Sequence, residues 1–313
     1  MPTKAISLLP EFREYVWGGQ RLRPGQKTAE AWIIYEGDMI ENGPWSGMTL
    51  GEAAGRYPAE LLGRKPLART GQRFPLLIKL LDCADWLSVQ VHPNDELAVK
   101  LEGPGQFGKT EAWHFLEAAP KAEILGGLKS GTTPETLVQA IRSGGLLQIV
   151  QHLPIQSGDS IYIPAGMLHA LGPGLLLYEI QQTSNITYRV FDWDRPASAG
   201  RPLHIEQSLA VTNPDLTGKV IPPQPLGDGE RCPLIKCPYF TLERLAGTSQ
   251  ALSLDTAGES FHALTLTAGE ASVVGDNWSV KLGPRETVLV PAAAGKYRVE
   301  PQAPFQALLA YVA

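Results

Sequence analysis

The chain has few of the residues on which small or secreted scaffolds depend. Of 313 residues only three are cysteine and six histidine. Three is an odd number, so Cys83, Cys232 and Cys237 do not imply a disulfide framework. Cys232 and Cys237 stand beside Pro233 and Pro238, with no second Cys or His pair nearby to complete a structural zinc knot. Cys83 adjoins an apolar strand and reads as a small core residue. No apolar run approaches the roughly 20 residues a membrane span needs. The opening run, Met1 to Pro10, is too short for a signal peptide and is followed by Glu11, Arg13 and Glu14, so a cytoplasmic protein is expected. Basic residues are also unclustered. A net charge of −5 with dispersed Lys and Arg argues against a nucleic-acid partner.

Glycine and proline are plentiful, at 32 and 26 residues, and long helical patterns are scarce. Short β-type runs bounded by turn residues recur at Phe74 to Leu81, Trp86 to His92, Ala112 to Leu116, Ser160 to Ile163, Leu175 to Ile180, Thr187 to Phe191, His262 to Leu266 and Thr287 to Val290. This punctuation predicts an all-β protein, a sandwich or barrel with minor helices. Thr133 as N-cap, Pro134 at the first helical position and Gly144 as stop frame one helix. Asn94 caps a second through Leu101, ending at Gly103, and a third is predicted from Pro202 to Val211. From about Thr212 the composition turns to Pro, Gly and Asp. The predicted division is a domain over residues 1–215, a linker over 216–231 and a strand-rich domain over 232–313.

Chemistry gathers in the first of these. In Leu87-Ser88-Val89-Gln90-Val91-His92, apolar and polar residues alternate as in a strand, which predicts Leu87, Val89 and Val91 on one face and Ser88, Gln90 and His92 on the other. Gly158 to His169 fits the pattern G-x5-P-x-G-x2-H, the second cupin motif: a turn, a strand, a proline that ends the ladder, and Gly166 for the bend that brings His169 back. Strand parity in Lys109 to His114 puts Lys109, Glu111 and Trp113 together and His114 on the opposite face. Gln90, His92, Glu111 and His169 would offer two nitrogens and two oxygens. That set suits zinc with open positions, at about 2.0–2.2 Å per ligand. It would equally accept iron, manganese or cobalt. Lys79, in an otherwise apolar strand, either snorkels to water or points inward to an anionic substrate. Arg189, among aromatics and acids, either pairs with Asp192 or Asp194 or grips a phosphate or developing oxyanion.

Taken together these stretches resemble one family, the type I mannose-6-phosphate isomerases (phosphomannose isomerases) in their short bacterial form. The resemblance rests on Val16-Trp17-Gly18-Gly19, Ala29-Glu30-Ala31-Trp32, Phe74 to Asp95, Gly108 to Trp113, Gly158 to Gly172 and Glu179 to Arg195. It implies one zinc ion per chain on Gln90, His92, Glu111 and His169, and interconversion of mannose 6-phosphate and fructose 6-phosphate through an enediol. It implies catalytic roles for Arg189, Glu179 and Lys109, and substrate contacts from Lys79, Ser88, Trp17 and Glu30. The sequence departs from the family at Leu171, where longer members carry tyrosine, and at Asn185, where many carry aspartate.

The implied fold is a pair of cupin-like jelly rolls. Internally, Thr287 to Ala292 echoes Ser160 to Ala165, and in that register Lys296 stands where His169 does. The second roll is therefore expected to be degenerate, without metal ligands. The implied partner is a small sugar phosphate, with no nucleic acid and no membrane, in a monomer or weak homo-oligomer. Two other classes fit the ligand set, an Fe(II) cupin oxygenase and a non-catalytic sugar-binding cupin.

Overall fold

Runs of alternating apolar and polar residues broken by Gly, Pro and Asn fold here as antiparallel strands. The computed structural model describes residues 4–195 and 201–313. Among them are 21 strands and seven α-helices. The chain divides into two compact units, one of Met1–Glu11, Ile33–Leu77 and Gln224–Ala313, the other of Phe12–Trp32 and Ile78–Pro223. Each is a jelly roll of two sheets.

A seven-stranded sheet runs in the order Glu11–Arg13, Glu30–Ile34, Leu76–Cys83, Leu175–Gln182, Glu111–Ala118, Ser160–Ile163 and Val220–Ile221. A five-stranded sheet runs Tyr188–Phe191, Val89–Val91, His169–Leu171, Glu123–Leu128 and Val150–Pro154. Trp17, Leu81, Trp113, Phe115, Ile161, Ile163, Leu175 and Leu177 form the apolar part of this roll's interior. A second cluster, including Val89, Val91, Leu125, Leu168, Tyr188 and Val190, packs with Leu137, Leu146 and Val211 from three helices. The smaller sheet therefore has an outer face sealed by helices and an inner face free for polar side chains.

The other unit holds a five-stranded sheet, Glu230–Lys236, Thr241–Gly247, Phe305–Tyr311, His262–Ala268 and Thr287–Val290, and a four-stranded one, Leu252–Asp255, Lys296–Pro301, Ala271–Val274 and Ser279–Leu282. Leu245, Leu254, Leu264, Leu266, Val273, Val288, Val299, Phe305 and Leu309 are buried together in its apolar core.

Helices Pro134–Ser143 and Asp95–Glu102 begin and end where the capping residues predict. Thr133 and Asn94 accept from the backbone N–H of Thr136 and Leu97, and Gly144 takes φ 74°. The third helix is shorter than predicted, Ile205–Val211. Residues 202–204 stay out of it because the His204 N–H donates to the Arg189 carbonyl at 2.8 Å, tying the segment to a strand. Leu87 also departs from its predicted face. The strand begins only at Val89, and Leu87 packs with the interior cluster while Val89 and Val91 join the helical one. Within 216–231, Val220–Ile221 pairs with Ser160 and Ile161 as an edge strand, and Glu230 opens the next strand.

Candidate active site

Across the inner face of the smaller sheet, three side chains stand in a row. Gln90 is in register with His169 on one side and Arg189 on the other. Directly opposed residues of antiparallel strands share a face, with strands about 4.8 Å apart. Register therefore brings an amide, an imidazole and a guanidinium together from segments about 80 and 100 positions apart in sequence. His92 follows two residues after Gln90. The Gly166 turn, at φ 88°, is hooked to it by the Gly166 N–H donating to the His92 carbonyl at 2.8 Å. The left-handed φ favours glycine, and a Cβ there would also sit a tight 3.1 Å from the Val211 carbonyl oxygen.

From the larger sheet Glu111 meets the two histidines. Its Oε2 lies 3.5 Å from His92 Nε2 and its Oε1 3.3 Å from His169 Nε2. All three side chains are almost wholly buried, and their ligating atoms lie within 4.8 Å of one another. Both imidazoles are held by the far nitrogen: His92 Nδ1 is 2.8 Å from the Ile186 carbonyl and His169 Nδ1 2.8 Å from the Met167 carbonyl. A carbonyl only accepts, so Nδ1 carries the proton and each Nε2 turns its lone pair to the centre, where that of His92 accepts from Lys109. Burial lowers the His169 pKa to about 4. Burial, then Lys109 and His169, hold His92 well below the usual histidine range. Both rings are neutral, the form that binds a metal.

Neither Glu111 carboxylate oxygen accepts a well-formed hydrogen bond among the described residues. Burial pushes this carboxyl up against the pull of Lys109. The Lys109 ammonium supplies the local positive charge, 2.5 Å from Glu111 Oε2 and 2.9 Å from His92 Nε2. Gln90 completes the group, with Nε2 3.4 Å from His169 Nε2 and Oε1 3.4 Å from Ser88 Oγ. Two imidazole nitrogens and a carboxylate converge here, with the Lys109 ammonium donating toward His92 Nε2 and lying against Glu111 Oε2. Two nitrogens with a carboxylate fit zinc.

Beside this cluster lies a second charged group. Lys79 Nζ is 3.0 Å from Glu179 Oε1, 3.7 Å from Glu30 Oε2 and 5.2 Å from the Trp32 ring centre. Trp113 Nε1 donates to Glu179 Oε2 at 2.9 Å, and Trp32 Nε1 donates to Glu30 Oε2 at 2.6 Å. Burial alone would lower the Lys79 pKa, but Glu179 and Glu30 outweigh it and hold the ammonium charged. Burial would raise Glu179, but Lys79 and then Lys109 keep it ionised and below the usual range. Lys79 thus points inward, not to water.

A cavity of about 330 Å³ opens on these groups. Trp17, Glu30, Lys79, Gln90, Lys109, Glu179 and Arg189 line it. His92, Glu111, His169 and Ser88 lie behind that lining, reached through Gln90 and Lys109 or, for Ser88, through Arg201. His114 is elsewhere, its Nδ1 2.9 Å from Ser160 Oγ. Among the described residues no carboxylate pairs with Arg189, and its buried Nε has no partner. Asp192 pairs with Arg195 and Arg201 instead.

A family model described as phosphomannose isomerase type I, catalytic domain, matches residues 6–111. A probable mannose-6-phosphate isomerase of Bacillus subtilis, GmuF, is 34% identical over 95% of this chain and 96% of its own length. The chain belongs to the type I phosphomannose isomerase family. Mannose-6-phosphate isomerase ManA of the same organism is 32% identical over 96% of this chain and 97% of its own. A crystal structure of the Bacillus subtilis mannose 6-phosphate isomerase has a TM-score of 0.87 at 29% identity, covering 98% of this chain and 99% of that one.

With type I phosphomannose isomerases as the frame, two lining residues stand out that sequence reading passed over. Arg201 lines the cavity and donates from Nη2 to Ser88 Oγ at 3.1 Å. Tyr15 lines it too, stacked on Trp17 with ring centres 5.7 Å apart. Neither lies in a periodic pattern; Arg201 follows the unpatterned stretch from Pro196 to Gly200.

Proposed function

We propose that this chain interconverts mannose 6-phosphate and fructose 6-phosphate, using one zinc ion held by Gln90, His92, Glu111 and His169. The observation that carries the reading is the buried His92–Glu111–His169 cluster beneath a cavity ringed by cations, in a chain aligned end to end with curated mannose-6-phosphate isomerases. Bound there, zinc supplies Lewis acidity to the sugar's carbonyl and hydroxyl oxygens, a contribution of several kcal/mol.

The chain's own groups divide the remaining work. Arg189, with a spare Nε donor and no carboxylate partner among the described residues, stabilises the oxygen on which charge develops. The proton moving between the two carbons needs a base open to the cavity. Glu179 has both oxygens engaged, by Lys79 and Trp113, and serves mainly to hold Lys79 in place. Glu30 engages Oε2 with Trp32 and leaves Oε1 open to take the proton. Lys109, between Glu111 and the cavity, keeps the metal carboxylate charged and oriented. Trp17 and Trp113 wall the cavity against water.

Catalysis then belongs to the unit of Phe12–Trp32 and Ile78–Pro223, where every one of these residues lies. A cytoplasmic setting is supported by three free thiols, one of them buried. Among the described residues no helix is long and apolar enough to cross a membrane. The deciding experiment is a coupled assay for fructose 6-phosphate, run on purified protein before and after chelation and after zinc is returned. Activity lost on chelation and restored by zinc is expected. Metal-replete protein that forms no fructose 6-phosphate would sink the reading.

A further inference from the structure

Glu111 reaches the histidines from the larger sheet of its unit, and the two histidines are tied to it in different ways. Ile163 is in register with Glu111 and leads through the short turn after it to His169, so the chain itself links this pair. His92 is separated from Glu111 by the whole helix Asp95–Glu102 and the loop that follows. Beyond its Gly166 link, His92 is placed against Glu111 by what joins the segments on either side of that helix.

One carboxylate oxygen makes that joint. Asp95 Oδ1 accepts from the Gly108 N–H at 2.8 Å and from Gln182 Nε2 at 2.9 Å. Gln182 Oε1 accepts from the Thr110 N–H at 2.9 Å, and the Lys109 N–H donates to the Pro93 carbonyl at 2.9 Å. A backbone N–H only donates and a carboxylate only accepts, so one orientation of the Gln182 amide satisfies both neighbours. The three N–H groups that lead into Glu111 are thus all held. Two of them are held by side chains, one three residues after His92 and one three residues after Glu179. Asn94 already caps the helix through the Leu97 N–H, which leaves the Asp95 carboxylate to bond outside it. Gly108 closes the joint by having no side chain. A Cβ there would lie 2.5 Å from the Asn94 carbonyl carbon and 2.6 Å from the Asp95 nitrogen.

The spacing so fixed is the one a metal needs. Two ligands at zinc distances and a tetrahedral angle stand about 3.4 Å apart. His92 Nε2 and Glu111 Oε2 are 3.5 Å apart. A site holds its geometry only while its groups stay within about 0.5 Å of their places. We propose that Asp95 and Gln182 are positioning residues that fix the separation of His92 and Glu111, and thereby set how tightly the site holds a divalent metal ion. This deepens the metal reading of the site and rests on it.

The test reads metal retention directly, on zinc-loaded full-length protein. Excess chelator should strip zinc about tenfold faster, or more, from Asp95→Ala and from Gln182→Ala than from the parent. The double variant should release it no faster than the worse single one, because both changes break the same link. Asp95→Asn keeps an acceptor oxygen for both donors and loses only the charge, so its release rate should stay within about threefold of the parent. Gly108→Ala, which forces the segment off the helix start, should release zinc as fast as Asp95→Ala. Thermal unfolding verifies that each variant is folded. Equal release from the parent and folded Asp95→Ala overturns the proposal. So does Asp95→Asn behaving as Asp95→Ala, since the charge at the helix start would then matter and not the bridge. If Asp95→Ala does not fold, Gln182→Ala decides in the same way. A parent protein that takes up no zinc overturns this proposal together with the zinc reading. One that holds zinc, responds as stated and forms no fructose 6-phosphate upholds the joint and refutes the isomerase reading alone.

Discussion

The two jelly rolls spend the same interior differently. In the first, Ile163 is in register with Glu111; in the second, the echoing residue Val290 is in register with His262. His262 therefore occupies the position of Glu111, and Lys296 that of His169. Yet His262 Nδ1 is 2.8 Å from the Tyr297 hydroxyl, its ring packs against Tyr297 and Tyr311, and Lys296 is exposed. The second interior is otherwise largely apolar, aliphatic side chains with Phe305 and Tyr297. One roll keeps buried charges paired with one another, Lys79 with Glu179 and Glu30, and Lys109 with Glu111. The other satisfies its one buried imidazole internally and fills the remainder with side chains. The fold tolerates either interior, so the barrel alone does not set the chemistry.

Equivalent substitutions give the sharpest way to break this comparison. His169→Ala should remove bound zinc and lower kcat/KM roughly a thousandfold or more, since it takes away one of only two imidazole ligands. His262→Ala should leave zinc content and kcat unchanged and cost about 1–3 kcal/mol of stability through the lost Tyr297 bond and cavity. Metal analysis, steady-state kinetics and denaturant unfolding of both variants measure the contrast. Loss of zinc in His262→Ala, or retention in His169→Ala, would erase it.

Within the first roll the two carboxylates on Lys79 offer a smaller contrast. Glu30→Gln should lower kcat about 10²–10⁴-fold, the range for removing a general base, with little change in zinc content. Glu179→Gln should lower it less, because Glu30 still holds Lys79. If Glu179→Gln proves the more damaging in kcat, with unfolding midpoints alike, the proton-transfer role passes to Glu179.

Much of this site was legible in the sequence because strands encode faces in parity. Gln90 and His92 share a face by their spacing, as do Lys109, Glu111 and Trp113, and the cupin turn announces His169 through Pro164 and Gly166. Parity fails where extended chain is not yet a strand. Leu87 lies two residues before Val89, outside the ladder, and turns inward. Arg201 has no pattern at all, being held by two side-chain contacts across about 110 and 10 residues. The helix Leu50–Arg56 went unpredicted although Thr49 and Glu52 form a full capping box, because Gly51 and Gly55 obscure its apolar stripe. Side-chain partners such as Asp192, which pairs with Arg195 and Arg201 and not Arg189, depend on tertiary distance and no local rule fixes them.

The smallest expected effect concerns how the second roll holds its histidine. Burial lowers the His262 pKa to about 4, against 6.5 for a free imidazole. Between those values the unfolded chain binds a proton that the folded chain refuses. Stability from this group is therefore complete above pH 6.5 and is lost as pH falls from 6.5 towards 4, by up to about 3 kcal/mol. Below pH 4 both states are protonated and the loss levels off. His262→Gln keeps a polar side chain opposite Tyr297 and removes the titration. The urea midpoint of the parent protein should then fall further between pH 7.5 and pH 5 than that of His262→Gln, both measured without added zinc. Parallel slopes for the two proteins would mean that the acid sensitivity arises in the first roll, where His92 and His169 are also held neutral by burial. In that case the degenerate roll is inert to pH as well as to metal, and the difference between the two rolls is wider still.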